Sequence, residues 1–484
     1  MEREYVTLFG CGSGRYPFRY LRIPMHHKKL SNKDWLTIEE RIQKKLSTWK
    51  GKHLSVGGRL VLINSVLSSL AMFMLSFFEV PKGILEKLDY YRSRFFWQCE
   101  EHKKKYRWAK WSILYKPKEC GGLGIQNLEL QNKCMLSKWL YKLWNEEGVW
   151  QNLLRRKYLS KKTLTHVEKK PGDSHFWSGL MMVKNIFLSC GSLKVHNGTQ
   201  VRFWEDKWNG ITPFATRYPA LYNLVINKNE SMAVVMSKRP LKVSFRRAIV
   251  GHNLKAWLEV VSKVISIKLT EQNGTFLWEI QKNGRFSVNP MYKAIMYREV
   301  VPKKDMIWKL RIPLKIKIFL WYLKNGVILT KDNLAKRKWK GNVKCCFCDS
   351  NESIQHLFLD CILARFMWNA VYISFGIHPP RNIASMFDNW LKGVQPKLRA
   401  QILVGISALC WAVWLCRNDV VFNGSNTNFL LQVIFRGTFW ARQWSLLLKE
   451  EDGQKVREGC LILEKRVSGF FAMKGWNLRK RLGD

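Results

Sequence analysis

Apolar residues recur at helical spacing through the first third of the chain. Trp35, Ile38, Ile42, Leu46 and Trp49 form one stripe, with Ser31 or Asn32 placed to cap its start and Gly51 to stop it. A second helix is expected from Val56 to about Phe78. Pro81, at a first-turn position, opens a third along Ile84, Leu88, Tyr91 and Phe95. After a loop holding Lys103-Lys-Lys and a Gly121-Gly-Leu-Gly turn, a fourth buries Leu136, Trp139, Leu140, Leu143 and Trp144 and ends at Gly148. The rhythm changes near residue 190. Asn197-Gly198 stands between two strand-like runs in Leu193-Lys-Val-His-Asn-Gly-Thr-Gln-Val-Arg-Phe-Trp, which predicts a β-hairpin, and Asn283-Gly284 predicts a second. Residues 215–270 carry a mixed helical pattern without a motif. Pro313 then opens a helix with Ile316, Phe319, Leu320 and Leu323 inside, Lys317 and Lys324 outside and Gly326 at its end. Ile402 to Phe422 and Phe429 to Leu448 read as two more. The fold class is therefore mainly α with small β-hairpins (α+β). Its expected divisions are a helical region (1–160), a connector with two hairpins (161–300), a helical module (301–424) and a helical tail (425–484).

Two apolar runs approach membrane-spanning length. Leu60 to Phe78 is broken by Asn64, Ser65, Ser68, Ser69 and Ser76, and Ile402 to Cys416 falls short of the ~20 residues a span needs. Both read as buried core helices, and no membrane partner is expected.

Charge changes the picture. Lys and Arg number 82 against 36 Asp and Glu, a formal net charge of +46 spread along the whole length. Such a surplus repels itself in a compact state unless a polyanion supplies counter-charge. Nucleic acid fits best, because each phosphate neutralised by Lys or Arg releases condensed counterions. The expected partner is RNA and/or DNA, with no small-molecule substrate. In the most lopsided stretch, Lys303 to Lys344, thirteen basic residues face only Asp305 and Asp332. Within it Lys315, Lys317, Lys324, Lys336, Arg337, Lys338 and Lys340 are candidate phosphate contacts. Arg92, Arg94, Lys103, Lys104, Lys105 and Arg107 form a second set, interleaved with Phe95, Phe96, Trp108 and Trp111. Aromatic faces can stack bases while cations follow phosphates; here the lysines suit phosphate and the aromatics read as core.

Directly after the basic stretch, Cys345, Cys348, His356 and Cys361 spell C-x2-C-x7-H-x4-C. Three thiolates and an imidazole at that spacing can close a tetrahedron around zinc. Cys346 is an alternative first ligand; the commoner C-x2-C spacing favours Cys345. Four protein ligands leave no open position for water, so Zn2+ here would be structural. The remaining eight of the twelve cysteines are scattered singly, which suits a reducing compartment. The first residues lack the basic and apolar regions of a secretory signal.

Nucleotidyl transfer needs paired carboxylates to hold two metal ions, and no Asp-Asp pair occurs in the chain. Glu205-Asp206 and Glu451-Asp452 come nearest, and neither sits on a strand-turn-strand pattern. P-loop, G-x-S-x-G and H-E-x-x-H motifs are absent. The expected reading is non-catalytic.

From Gly14 to Gly424 these residues resemble the C-terminal part of the polyprotein of plant non-LTR (LINE-type) retrotransposons. Pro17-Phe-Arg-Tyr-Leu-Arg-Ile-Pro is similar to the segment after the polymerase palm. Trp49-Lys-Gly, Leu54-Ser-Val-Gly-Gly-Arg, Asn64-Ser-Val-Leu and Gly121-Gly-Leu-Gly-Ile resemble the thumb-like region, and Val201-Arg-Phe-Trp-Glu-Asp-Lys-Trp the connecting segment. Trp308-Lys-Leu-Arg-Ile-Pro-Leu-Lys-Ile-Lys-Ile-Phe-Leu-Trp, with the cysteine-histidine loop after it, resembles the reverse-transcriptase zinc-binding domain. Trp411-Ala-Val-Trp-Leu-Cys-Arg-Asn is similar to the helix that closes it. Arg22 departs from the family pattern, which has glycine there. The family's Tyr/Phe-Ala-Asp-Asp polymerase motif and its endonuclease belong upstream of residue 1, and a ribonuclease H domain has no counterpart here.

The resemblance implies a zinc-containing, nucleic-acid-binding remnant whose parts grip template RNA and target DNA while the missing palm polymerises. Its alternatives are a domesticated interaction protein that meets an acidic protein partner, or an accessory part of an active RNA-directed DNA polymerase. Nuclear residence follows from the implied chromosomal target.

Overall fold

The computed structural model describes residues 30–49, 53–97, 106–159, 163–210, 212–238, 240–298, 306–424 and 429–473, with short pieces at 6–8, 10, 12, 18–20 and 23–25. Its strands are β1 (Phe18–Tyr20), β2 (Ile23–Met25), β3 (Gly191–Lys194) and β4 (Thr275–Trp278). The longer helices are α1 (Asn32–Thr48), α2 (Val56–Leu75), α3 (Lys82–Trp97), α4 (Leu128–Asn145), α5 (Val149–Tyr158), α6 (His175–Leu188), α7 (Gly251–Ile265), α8 (Val288–Arg298), α9 (Leu314–Lys324), α10 (Ile362–Phe375), α11 (Pro396–Asn423), α12 (Phe429–Ser445) and α13 (Glu450–Met473). The chain is mainly α with small antiparallel sheets, as the patterning predicts. It divides into two compact units. One comprises Met1–Lys45, Val66–Tyr91 and Gln126–Glu299, and the other Leu46–Ser65, Arg92–Ile125 and Val300–Asp484.

The predicted helices form where the apolar spacing puts them. Ser31 stands just before α1, where Asp34 reaches back to accept from its backbone N–H at 2.6 Å and its hydroxyl at 2.9 Å. Trp35, Ile38 and Ile42 are buried; Gly51 lies outside the described residues. Ser55 caps α2 by accepting from Gly58 N–H at 3.1 Å, and Ile63–Leu67 inserts a π-helical turn into it.

In the first unit, α4 and α6 pack Cys134, Leu136, Leu140 and Leu143 against Trp177, Leu180, Val183 and Phe187. Asn132, buried on α4, is fully employed. Its amide donates to Leu75 O at 2.6 Å and Phe78 O at 2.8 Å, and its oxygen accepts from Val80 N–H at 3.1 Å. A second core holds Phe203, Trp204 and Phe214 against Ala256, Val260 and Val264, one face of α7 at four-residue spacing. Each apolar side chain fully removed from water there contributes about 1.5–3 kcal/mol.

Both predicted hairpins take a different form. Gly198 does turn, with φ +70°, but β3 pairs with β4 instead of folding back on residues 201–204. The chain leaving the turn joins another segment: Met232 N–H donates to Val201 O at 2.8 Å, and Ala233 N–H to Gly198 O at 3.1 Å. Gly191 is required at the head of β3, since a Cβ there would lie 2.3 Å from Leu277 O. Asn145 on α4 covers the free edge of β4, its oxygen accepting from Phe276 N–H at 2.8 Å and its amide donating to Phe276 O at 3.1 Å. Asn283-Gly284 likewise forms a turn, with Trp278 N–H donating to Gly284 O at 3.3 Å, after which the chain enters α8. The hairpin the patterning missed is β1 with β2, where Phe18 faces Met25; Arg22 lies outside the described residues.

In the second unit, α9 buries Ile316, Phe319, Leu320, Trp321 and Leu323. Trp321 Nε1 donates to Gly121 O at 2.7 Å and Asn64 Nδ2 to Gly124 O at 3.0 Å, so the Gly-Gly-Leu-Gly turn is a docking point. Helices α10 to α13 pack as a bundle. α11 has the length and apolarity of a membrane span, and its Leu403, Val404, Ala408, Ala412 and Val413 are buried within the bundle. Arg442 of α12 meets Glu464 of α13 with both terminal nitrogens, at 2.8 and 2.6 Å.

Candidate metal centre and basic surface

The knuckle begins as a pinched loop. Lys344 pairs with Asn351 in an antiparallel bridge, and Cys345 N–H donates to Ser350 O at 2.7 Å. Folding the chain so tightly turns the Cys345 and Cys348 sulfurs the same way, and Phe347 N–H points at Cys345 Sγ at 3.4 Å. His356 starts a π-helical turn, His356–Asp360, with its N–H donating to Ser353 Oγ at 3.1 Å. Cys361 follows as the residue before α10, held by its own N–H on His356 O at 2.7 Å.

All four ligand atoms lie within 4.8 Å of one another. Cys345 Sγ is 3.8 Å from Cys361 Sγ, Cys348 Sγ is 4.0 Å from Cys361 Sγ, and Cys348 Sγ is 3.2 Å from His356 Nε2. A tetrahedron with Zn–S near 2.3 Å has edges of about 3.8 Å, so the sulfurs stand at zinc-binding separation. Cys345 and Cys361 are buried and the other two half-buried. Hydrogen bonds from the Cys346 and Cys361 thiols pull the Cys345 thiol far down, and the same contacts push Cys346 and Cys361 up. Cys346 stands outside the cluster.

A buried ion pair backs the knuckle. Arg417 of α11 forks onto Glu352, Nη2 to Oε1 at 2.8 Å and Nε to Oε2 at 3.2 Å. Glu352 also accepts from Lys331 N–H at 2.8 Å, and both side chains are almost fully enclosed. This pair ties the metal loop to the apolar helix behind it, and sequence reasoning passed over both residues. The available signal was an arginine directly following an apolar helical run.

The basic candidates divide. Arg92 is fully buried, with its guanidinium carbon 5.9 Å from the centre of the Trp111 ring, so phosphate has no access to it and the structure removes it from the set. Phe95 and Phe96 are core residues, and Trp108 stacks at a tilt on Tyr322, 4.6 Å between centroids. Lys317, expected outside, turns in and donates to Trp308 O at 3.1 Å, where burial and the neighbouring Lys118 lower its pKa. Lys324 pairs with Asp388 at 2.8 Å. Arg94 is half-buried, and Lys103, Lys104 and Lys105 lie outside the described residues. Lys315 is exposed, its ammonium 5.2 Å from the centre of the Trp411 ring.

Arg107, Lys336, Lys338 and Lys340 are exposed, and the fold brings their two segments together. Arg337 donates to Asn333 O at 2.9 Å and across to Trp108 O at 3.2 Å, beside Arg107. Lys338 is the non-glycine residue with positive φ among those described, +65°. Next to it the Trp339 ring lies on Gly341, where a Cβ would fall 1.9 Å from the indole. The tip thus holds its lysines outward on a constrained backbone.

Residues 286–368 match the family model described as zinc-binding in reverse transcriptase. This region is a reverse-transcriptase zinc-binding domain. Over an alignment of 368 residues that covers 72% of the chain, the sequence is 27% identical to the Arabidopsis thaliana protein named "Putative ribonuclease H protein At1g65750". The chain spans 57% of that protein's length. A further 143 residues' worth of similarity, also 27% identical, covers 29% of the chain and 92% of the "Uncharacterized mitochondrial protein AtMg00310" of the same plant. The chain is reverse-transcriptase related, of the plant retrotransposon kind, as the sequence resemblance implies. Three of the four carboxylates nearest to a two-metal pair are engaged in structural contacts, and Glu451 is exposed. Glu205 accepts from Arg202, Tyr222 and His166, and Asp206 from Arg202 N–H at 2.7 Å. Asp452 accepts from Gln401 at 2.6 Å.

Proposed function

We propose that the knuckle holds one structural zinc ion, and that the basic surface beside it grips the phosphate backbone of RNA or DNA without catalysis by this chain. Cys345, Cys348, His356 and Cys361 supply the ion with a donor set of soft sulfur and imidazole and a closed shell. The observation that carries the nucleic-acid reading is the Arg337 bond to Trp108 O, which sets Arg107 beside Lys336, Lys338 and Lys340. Phosphate contacts position a strand without reading its bases, so recognition is sequence-independent. A chromosomal target makes the nucleus the site of action.

Binding of the purified chain to a labelled RNA or DNA hairpin, measured across a salt series, tests this. The logarithm of the affinity should fall linearly with the logarithm of salt. Replacing Lys336, Lys338 and Lys340 together by Ala should lower the magnitude of that slope by about two to three, since each phosphate contributes about 0.9. An unaltered slope rejects the surface. Binding only to acidic protein, or deoxynucleotide incorporation on a primed RNA template, would replace this reading with one of its alternatives.

A further inference from the structure

The second core of the first unit carries a cationic edge far along the chain from the knuckle. Between Glu230 and Glu259 the sequence holds Lys238, Arg239, Lys242, Arg246, Arg247 and Lys255 and no acid. Arg239 lies outside the described residues, and the other five are exposed. The acids that bracket the stretch are engaged elsewhere, Glu230 accepting from Asn227 at 3.1 Å and Glu259 pairing with Lys263. Among the described residues the five exposed cations have no acidic partner. The acid-free stretch runs on into α7, whose first turn also carries no acid.

Local structure decides where these side chains go. Val243 N–H closes a tight turn onto Leu241 O at 2.8 Å, which sets Lys242 at its apex. Beyond it the chain is extended around an antiparallel bridge between Val225 and Phe245, with Ile226 N–H donating to Ser244 O at 3.0 Å and Arg246 N–H to Leu224 O at 2.8 Å. Extended backbone sends alternate side chains to opposite faces. Leu241, Val243 and Phe245 pack against the core, and the Phe245 ring meets Trp257 edge-on with centroids 5.2 Å apart. Lys242, Ser244 and Arg246 are thereby left exposed on the outer side, and Arg247 follows them. Lys242 N–H is tied in turn to Val235 O at 2.8 Å, so the cations project from a backbone that hydrogen bonds hold in place.

The arrangement selects a kind of partner. Cations strung along one edge repel one another, and counter-charge relieves that cost. They follow one another along the chain, as a partner that repeats a charge at every unit of its own backbone requires. A sugar-phosphate strand has that form, and a serine hydroxyl between two cations supplies the neutral donor that commonly accompanies them at phosphate.

We propose that Lys242, Arg246 and Arg247, with Ser244 among them, form a second phosphate-contact edge for RNA or DNA, on the first unit and distinct from the basic surface beside the knuckle. Only the identity of the polyanion rests on the nucleic-acid reading above. The edge contacts backbone and reads no bases.

Titration of the full chain with the labelled hairpin across a salt series tests the edge. Replacing Lys242, Arg246 and Arg247 together by Ala should lower the magnitude of the salt slope by about two to three, with helical circular dichroism and zinc content unchanged. Arg246→Lys with Arg247→Lys should keep the slope of the unsubstituted chain, because the slope counts charges neutralised. Combined with replacement of Lys336, Lys338 and Lys340, the two losses should add. If the folded Ala variant keeps the full slope while the knuckle-side variant lowers it, the edge is overturned and the nucleic-acid reading stands; if the unsubstituted chain shows no salt-dependent binding, both fall. Equal losses in the Lys and Ala variants would overturn the edge by showing that charge is not what was removed. Weakened binding of polyglutamate with an unaltered hairpin slope would assign the edge to an acidic peptide instead.

Discussion

Between Cys345 and Cys361 the chain gathers four ligand atoms within one short stretch, whereas Gly191–Lys194 meets its partner strand only at Thr275–Trp278. The knuckle is held by turn hydrogen bonds and by one buried ion pair, and on the proposed reading by the zinc ion its sulfurs and imidazole would share. The sheet region is held by burial. Phe187 stacks on Phe276 and Trp278, and Leu193, Val201 and Met291 complete the same core. The difference teaches where each region is vulnerable: remove a ligand and the first loses its organising interaction, remove an aromatic ring and the second opens a cavity.

The largest break should come from Cys361→Ser. Bound zinc, read by atomic absorption, should fall from one per chain to near zero. The knuckle should lose stability on the order of 10 kcal/mol, the apparent free energy a structural zinc supplies. Hydrogen exchange should speed up at 343–361 and stay unchanged at 191–278. If both regions respond together, the contrast fails.

Trp278→Ala should do the reverse. It should cost about 3–5 kcal/mol in urea unfolding of the sheet region and leave the zinc content intact. Within the knuckle, Arg417→Met should cost about 3–5 kcal/mol by leaving Glu352 buried and unpaired. Adding Glu352→Leu should recover most of that loss; no recovery would show that Arg417 acts by packing alone.

The sheet region also carries an acid balance that sharpens the contrast. Burial, with Arg202 nearby, lowers His166 from 6.5 to about 4, and burial raises Asp206 from 3.8 to about 6. As pH falls from 6.5 toward 4, the unfolded chain takes up a proton at His166 that the folded chain refuses, and stability is lost. Between pH 6 and 3.8 the folded chain binds a proton at Asp206 that the unfolded chain does not, and stability is gained. The two largely offset. Asp206→Asn should therefore make stability fall as pH drops from 6.5 to 4, while His166→Gln should make it rise below pH 6. Identical pH profiles for the two variants would reject the balance.

The smallest effect should be a gain. Lys338→Gly removes a side chain from a left-handed backbone and should stabilise the tip by about 0.5–1 kcal/mol. It should also weaken nucleic-acid binding slightly, a combination that separates local strain from phosphate contact.

Much of this was legible beforehand. The stripe from Trp35 to Ile42, the opening of α9 at Pro313 and the ligand spacing all depend on neighbours a few residues apart, and each formed where local pattern placed it. Spacing alone favoured Cys345 over Cys346 without excluding either. The choice fell to the Lys344–Asn351 bridge, which turns one sulfur toward Cys361 and leaves the other out.

What the amino-acid order determined by itself was therefore helix position, turn position, net charge and the spacing of the candidate ligands, because these follow from periodicity, glycine and proline chemistry, and composition. Tertiary structure alone decided the pairing of β3 with β4, the burial of Arg92, the inward turn of Lys317 and the meeting of Arg107 with Lys336–Lys340. Each of these depends on which distant surface a segment is packed against. An Asn-Gly pair specifies that the chain turns, and only the surrounding core specifies which strand receives it.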